Sequence, residues 1–488
     1  MSMTLPFGFA RRAGVLHEVH QGTEWLSIRP DTPLTACAEA QRLLGPRLLK
    51  WQMLDEATFA LTLARLYSDG QTGVEDVAQG LDGQLDLLEI AEQLPQTADL
   101  LEQEGDAPII RLINAVLGEA VREQASDVHL ETFEHCLSVR IRVDGQLREV
   151  LKPRRELANL LVSRIKVMAR LDIAEKRIPQ DGRMALRLAG REVDVRVSTL
   201  PSAHGERVVM RLLDKGKGSL DLVTLGMPDD TRAQFEQILK RPHGIFLVTG
   251  PTGSGKTTSL YAALTCLNDQ TRNILTIEDP IEYHLPGIGQ TPVNPKVQMT
   301  FAQGLRAILR QDPDVVMVGE IRDRETSQVA VQASLTGHLV LSTLHTNSAA
   351  GAVTRLLDMG VDAFLLASSL LGVLAQRLLR TLCDQCKVSE IASEAACERL
   401  RIDRDQPPKL FKARGCEHCR QGYRGRVGIY ELITVTPRLA EMIHRGASES
   451  ELAGEAQQRS RSLFEDGRRL VLEGRTSLDE LLRVTQER

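Results

Sequence analysis

Nine residues, Gly250-Pro251-Thr252-Gly253-Ser254-Gly255-Lys256-Thr257-Thr258, close an apolar run and open a helical pattern. They satisfy GxxxxGK[ST] between a strand and a helix, the setting this motif requires. The chemistry such a loop does is phosphate binding. Consecutive backbone N–H groups and the helix N-terminus cradle phosphate oxygens, the Lys256 ammonium neutralises charge at the β and γ positions, and the Thr257 hydroxyl ligates Mg²⁺. The competing reading is a glycine turn with a chance lysine.

Splitting a triphosphate also needs a group that acts on water. In DVVMVGE, Asp314 to Glu320, an apolar strand ends on a carboxylate. The usual metal-binding aspartate position is taken by Gly319, so metal contact would be partly water-mediated and Glu320 is left to polarise water as a general base. An ion pair at the strand end is the alternative. TIEDPIE, Thr276 to Glu282, ends another strand with acids that are candidates for the same metal, or for a solvated turn. Glu282 and Glu320 therefore both remain candidates for handling the water. His338 and His345 flank the strand in TGHLVLSTLHTNS on opposite faces and cannot easily share one metal. His345 falls at the carboxyl end, where α/β sheets bind ligands, and is the candidate sensor of the γ-phosphate; His338 reads as a satisfied core residue.

A second chemistry lies in the cysteines. Cys383-x-x-Cys386 and Cys416-x-x-Cys419 offer four thiolates, the number that a closed tetrahedral Zn²⁺ site takes. With no position left for water, the metal's role would be structural; four free thiols are the alternative. Cys37, Cys136, Cys266 and Cys397 are scattered and read as structural.

The elements that must position these groups follow from patterning. The strands IFLVTG, NILTIED, DVVMVGE and HLVLSTLH alternate with helical segments over about 225–380, which predicts an α/β domain with a mainly parallel sheet covered on both faces. Over 107–215, long helices mix with the alternating strands LSVRIRVDG, MALRLAG and REVDVRVST, predicting a compact α+β domain. Residues 1–80 carry Leu/Ala-rich helical patterns such as EATFALTLARLY and no catalytic constellation, which predicts a small helical domain that binds rather than catalyses. Leu81 to Asp106 holds eight acids and no base and reads as a linker. DKGKGS, Asp214 to Ser219, leads into a hinge at 216–224, the cysteine module spans 381–430, and a helical region covers 431–488.

Composition narrows the class. With 488 residues, 42% hydrophobic content and a net charge of −5, the chain is an ordinary multidomain globular protein rather than a polyanion binder. Its seventeen aromatics are few for stacking bases, so nucleic acid is not expected as a partner. The N-terminus has no apolar segment behind a basic start, which predicts cytoplasmic residence. The longest apolar run, Phe364 to Ala375, is shorter than the ~20 residues of a membrane span and reads as a buried helix.

The glycine loop, IEDPIE, VMVGEIRD, TGHLVLSTLHTN and the paired CxxC, in this order over roughly 107–488, resemble the secretion ATPases, specifically the family of type II secretion system E proteins. In that family the blocks are Walker A, the Asp box, Walker B and the His box. The resemblance implies a RecA-like ATPase domain behind a PAS-like domain, ATP as substrate, and a homohexamer whose two domains per subunit rotate against each other. It also implies arginines that complete the site from a neighbouring domain or subunit: Arg196 and Arg211 in the α+β domain, with Arg306 and Arg310 in GLRAILRQDPD. Guanidinium groups suit that role because they stay charged and grip phosphate with two N–H bonds. Arg207 and Arg310 also have a bland reading as surface ion pairs.

By the same resemblance, the N-terminal domain docks the cytoplasmic part of a single-span inner-membrane secretion protein. The hexamer is peripheral on the cytoplasmic face of the inner membrane and drives a polytopic platform protein to assemble a pseudopilus. The rival readings are a type IV pilus assembly ATPase, whose N-terminal region is typically longer, a zinc-ribbon DNA motor, and an inactive binding module that kept the loop shape.

Overall fold

Short period-two stretches come first along the chain. The structure, a computed structural model, describes residues 5, 13–20, 23–30, 32–44, 50–55, 58, 59, 62, 107–188, 191–214 and 221–485. In it, VLHEVH and TEWLSI form the antiparallel pair β1 (Val15–His20) and β2 (Thr23–Ile28). Helix α1 (Leu34–Leu44) packs on them, and β3 (Lys50–Met53) runs parallel to β2. Leu5, Val15, Leu26, Ala40 and Leu44 make its small core. The N-terminal unit thus adds a three-stranded sheet to the expected helix. Six-residue strands leave only a few alternations to read, and most of EATFALTLARLY lies outside the described residues. The acidic linker and most of the hinge also lie outside them.

The second unit comprises α2 (Ala107–Arg122), β4 (Asp127–Thr132), β5 (Leu137–Val143), β6 (Gln146–Leu151), α3 (Leu157–Met168), β7 (Gln180–Leu188), β8 (Arg191–Ser202) and β9 (Gly205–Asp214). Its strands form one antiparallel sheet in the order β6-β5-β4-β9-β8-β7. Alternation sorts the two faces. Val128, Leu130, Val139, Ile141, Val195, Val197, Val208 and Met210 pack under α2 and α3. Their strand neighbours Asp127, His129, Glu131, Arg140, Arg142, Arg196 and Arg211 line the other face. This is the α+β unit that the sequence predicts, with these charged residues on the face away from the helices.

The third unit opens with α4 (Asp229–Leu239) and continues with β10 (Gly244–Thr249), α5 (Lys256–Leu267), β11 (Ile274–Glu278), β12 (Gly289–Pro292), α6 (Phe301–Ile308), β13 (Val315–Val318), α7 (Arg324–Leu335), β14 (Leu339–Leu344), α8 (Ala349–Asp358), α9 (Ala363–Ser369) and β15 (Leu370–Leu382). Strands β12-β11-β13-β14-β10-β15 are parallel neighbours, and β18 (Tyr423–Thr434) closes the sheet antiparallel to β15. Ile245, Leu247, Val316, Val318 and Val340 enter one core, while Phe246, Val248, Val315, Met317, Leu339 and Leu341 enter the other. Both faces are covered, so the strands read as unbroken apolar runs. Each such fully buried side chain stabilises by about 1.5–3 kcal/mol.

One expectation is corrected here. The run Phe364 to Ala375 is not a single buried helix: it turns from α9 into β15 at Leu370. A continuous apolar run cannot by itself distinguish helix from buried strand. The open side of β10 and the partner strand β18 make the second half a strand. Between β15 and β18 lie β16 (Val388–Ile391), α10 (Glu394–Leu400) and β17 (Lys409–Lys412), so the cysteine module is an insertion between two neighbouring strands of the main sheet. Helices α11 (Pro437–His444), α12 (Glu449–Ala456), α13 (Leu463–Leu472) and α14 (Leu478–Thr485) then cover one face of that sheet. Among the described residues, no helix is long and apolar enough to cross a membrane.

Candidate nucleotide site and its arginine wall

The glycine loop leaves β10 at the carboxyl edge of the sheet and enters α5. Two glycines are required, Gly250 by contact and Gly255 by its left-handed backbone. A Cβ on Gly250 would stand 2.4 Å from the Gln376 carbonyl oxygen, and Gly255, at φ +88°, would bring one 2.8 Å from Gln376 Nε2. Gln376, buried on β15, is thus the floor of the loop, and it accepts the Ser259 hydroxyl at 2.7 Å. Lys256 is only 8% exposed and donates to the carbonyls of Gly250 at 2.8 Å and Pro251 at 3.1 Å. Burial pushes its ammonium down to about 8, with the nearby Glu320 acting in the opposite direction. The buried Ser254 hydroxyl has no hydrogen-bond partner, while Thr257 and Thr258 lie exposed in the first turn of α5. A buried cation held only by carbonyls, beside an orphaned hydroxyl and a helix N-terminus, fits an anionic phosphate.

Glu320 follows β13 and reaches the same point. One oxygen lies 3.3 Å from His345 Nε2 and the other pairs with Arg322. Burial first, then the charge of Lys256, pushes the His345 imidazolium down, while Glu320 opposes them. Gly319 bonds the Ile277 carbonyl through its N–H, and a Cβ there would already touch Glu278 Cα and the Phe301 ring at 3.4 Å. His338, at the opposite end of β14, places Nδ1 3.0 Å from the Ala333 carbonyl and takes no part in the cluster.

The acids of the IEDPIE stretch separate. Glu278 is 3% exposed and accepts from the Tyr261 hydroxyl, from Thr276 Oγ1 at 2.5 Å and from Gln290 Nε2 at 3.0 Å. Those donors occupy it, so it is a structural anchor rather than a metal ligand. The Tyr261 oxygen also accepts the Glu282 N–H at 3.3 Å, which ties the Glu282 loop to the helix of the glycine loop. Burial pushes the Glu282 carboxyl up, and Arg211, Arg196 and Arg183 pull it back.

Those arginines stand on the polar face of the six-stranded sheet. Register places Arg142, Asp127, Arg211, Arg196 and Arg183 side by side across β5, β4, β9, β8 and β7. Asp127 accepts Arg211 Nε at 3.0 Å, which leaves the terminal nitrogens of Arg211 outside this contact. Arg207 instead pairs with Glu131 at 2.6 Å, as its bland reading expected. Arg306 and Arg310 lie elsewhere, exposed on and just after α6, where Arg306 pairs with Glu325 at 2.5 Å and Arg310 donates to the Arg306 carbonyl at 2.9 Å.

The four cysteines converge. Sulfur separations are 3.9 Å for Cys383 and Cys416, and 3.5 Å both for Cys386 and Cys419 and for Cys416 and Cys419, with all four ligand atoms within 4.8 Å of one another. Tetrahedral zinc with bonds of about 2.3 Å requires sulfurs about 3.8 Å apart. The residues fit that metal. Just beyond the last cysteine, Arg420 pairs with Glu123, while Asp144 accepts the Gly425 N–H at 3.2 Å and lies 3.4 Å from Arg426 Nε. The module thus sits where the α+β unit touches the main sheet.

Gln376, Tyr261, Arg322, Asp127 and Arg183 were not singled out from sequence. Only Arg322, two residues beyond Glu320, had a local signal; the others act through strand register or through partners distant in the chain.

Residues 102–483 match the family model described as "Type II/IV secretion system protein", and residues 4–67 match the model of a domain of "GSPII protein E". The chain is 64% identical over 484 residues to the type II secretion system protein E of Pseudomonas aeruginosa, covering 99% of this chain and 96% of that one. It is 56% identical over 490 residues to the type II secretion system ATPase E of Vibrio cholerae, covering 99% and 97%. The solved pilus retraction motor PilT with bound ADP superposes with a TM-score of 0.54 at 26% identity, covering 77% of this chain and 97% of that one. The rival pilus reading yields to full-length identity with the secretion proteins, and the chain belongs to the type II secretion system protein E family of secretion ATPases.

Proposed function

We propose that this secretion ATPase is a clamp motor in which the terminal phosphate of ATP is gripped from two sides. The glycine loop, Gly250 to Thr258, holds the phosphates from one side through its backbone and Lys256. Arg196 and Arg211 grip from the other, within the chain or from a neighbouring copy. Mg²⁺, held through Thr257 and outer waters, would supply charge neutralisation at the phosphates. Glu320 draws a proton from the attacking water, His345 orients Glu320 and senses the γ-phosphate, and Glu282 shapes the approach from the arginine side. Arg306 and Arg310, exposed on another face, serve contacts between copies. The observation that carries this reading is that the arginine face of one unit lies within electrostatic reach of Glu282, on a loop tied to the glycine-loop helix.

Loss of the terminal phosphate removes the charge that holds the units closed, and the opening does mechanical work. In a homohexamer this motion would turn a polytopic inner-membrane platform protein and add pseudopilin subunits. Residues 1–80 dock the cytoplasmic domain of a single-span membrane protein, which keeps the motor peripheral on the cytoplasmic face of the inner membrane. Zn²⁺ on Cys383, Cys386, Cys416 and Cys419 is structural and stiffens the surface that meets the α+β unit.

A deletion strain complemented with Glu320→Gln tests the whole reading. Expected are normal levels of the variant, ATP binding retained, hydrolysis reduced about 10²–10⁴-fold and no export of secreted proteins, with pili intact. Normal export from that strain would overturn it.

A further inference from the structure

Across β9, β8 and β7 the register opposes Arg211 to Arg196 and Arg196 to Arg183. Directly opposed residues of antiparallel strands share a face, with Cβ atoms about 4.5–5.5 Å apart, and like charges so placed are destabilising. Asp127 relieves this at one end by accepting Arg211. Among the described residues, no ion pair within the sheet joins a carboxylate to Arg196 or Arg183. An acid of the other unit, Glu282, also lies within electrostatic reach of Arg211, Arg196 and Arg183 together. Three adjacent guanidinium groups, two of them without an ion pair inside the sheet, are a receptor for something more highly charged than one carboxylate.

We propose that Arg183 is the third guanidinium of the phosphate receptor formed with Arg196 and Arg211, and that it helps the protein distinguish a nucleoside triphosphate from a diphosphate. The proposal rests on the clamp reading above. Arg183 lies on β7, at the outer edge of the sheet, where its side chain is exposed. A guanidinium there adds up to two N–H bonds to a dianionic phosphate.

The test measures affinities of the full-length chain for ADP and for a non-hydrolysable ATP analogue, alongside steady-state hydrolysis. Arg183→Ala is expected to lower the preference for triphosphate about tenfold, to leave ADP affinity within about twofold, and to leave the melting temperature unchanged. Arg183→Lys, which retains charge without the forked donor, should recover part of the preference. An unchanged ratio of the two affinities in Arg183→Ala, or in Arg183→Lys if the alanine variant does not fold, would overturn the proposal. The two readings fail separately. A wild-type chain that hydrolyses no ATP sinks the clamp, whereas an active chain whose selectivity ignores Arg183 sinks only the receptor.

Discussion

In the proposed clamp, the glycine loop and the arginine wall would grip the same kind of charge by different means. The loop is built from backbone N–H groups and a buried lysine, and its shape is imposed by contacts such as that of Gly250 against the Gln376 carbonyl. It is ready before any phosphate arrives. The wall is built from long side chains on an open sheet face, with Asp127 orienting one of them and Glu282 facing the row from outside. Preorganised backbone loses little entropy on binding, while exposed side chains must be ordered each time. A motor needs this asymmetry, because the half that lets go should be the half that is less fixed.

The largest effect expected lies in the loop. Lys256→Ala should lower phosphate release about a thousandfold or more while circular dichroism shows the fold intact. Retained turnover would break the comparison by removing the loop from the chemistry. On the wall, Asp127→Asn should reduce kcat/KM about tenfold, because a misaimed Arg211 still carries its charge but meets the phosphate in the wrong geometry. A loss as large as that of Lys256→Ala would show that the wall is as fixed as the loop. An effect of similar size is expected in pH. Burial holds the free Lys256 at about 8, and a bound phosphate favours its charged form, so ATP binding takes up a proton. The sign follows: kcat/KM is flat below that value and falls as pH rises, by about tenfold from pH 7 to pH 9. Lys256→Arg, which stays protonated, should erase that alkaline limb in a pH–rate profile, whatever its absolute rate.

Much of this was legible in the residues themselves. GPTGSGKTT, the strand ending on Glu320 and the cysteine pairs each announce their chemistry within a few positions, because tight turns and metal knuckles are local. The proximity of His345 to Glu320 has the same origin, since both end strands at the carboxyl edge of one parallel sheet. The apolar run of Phe364 to Ala375 misled because both helix and buried strand accept it, and only the vacancy beside β10 decides. Glu278 could not be told from Glu282 in sequence. The burial that occupies one and leaves the other facing arginines comes from Tyr261 and Gln290, on α5 and β12.

By itself, then, the sequence determined where a phosphate-binding type of loop stands, which sulfurs can close on a metal, and which stretches must be buried on both faces. Tertiary structure decided what stands opposite what: the floor that Gln376 makes beneath the loop, the anchoring of Glu282, and the row Arg211, Arg196 and Arg183. The reason is that a motif is written along the chain, whereas strand register and the apposition of units are set by pairing between residues far apart in it.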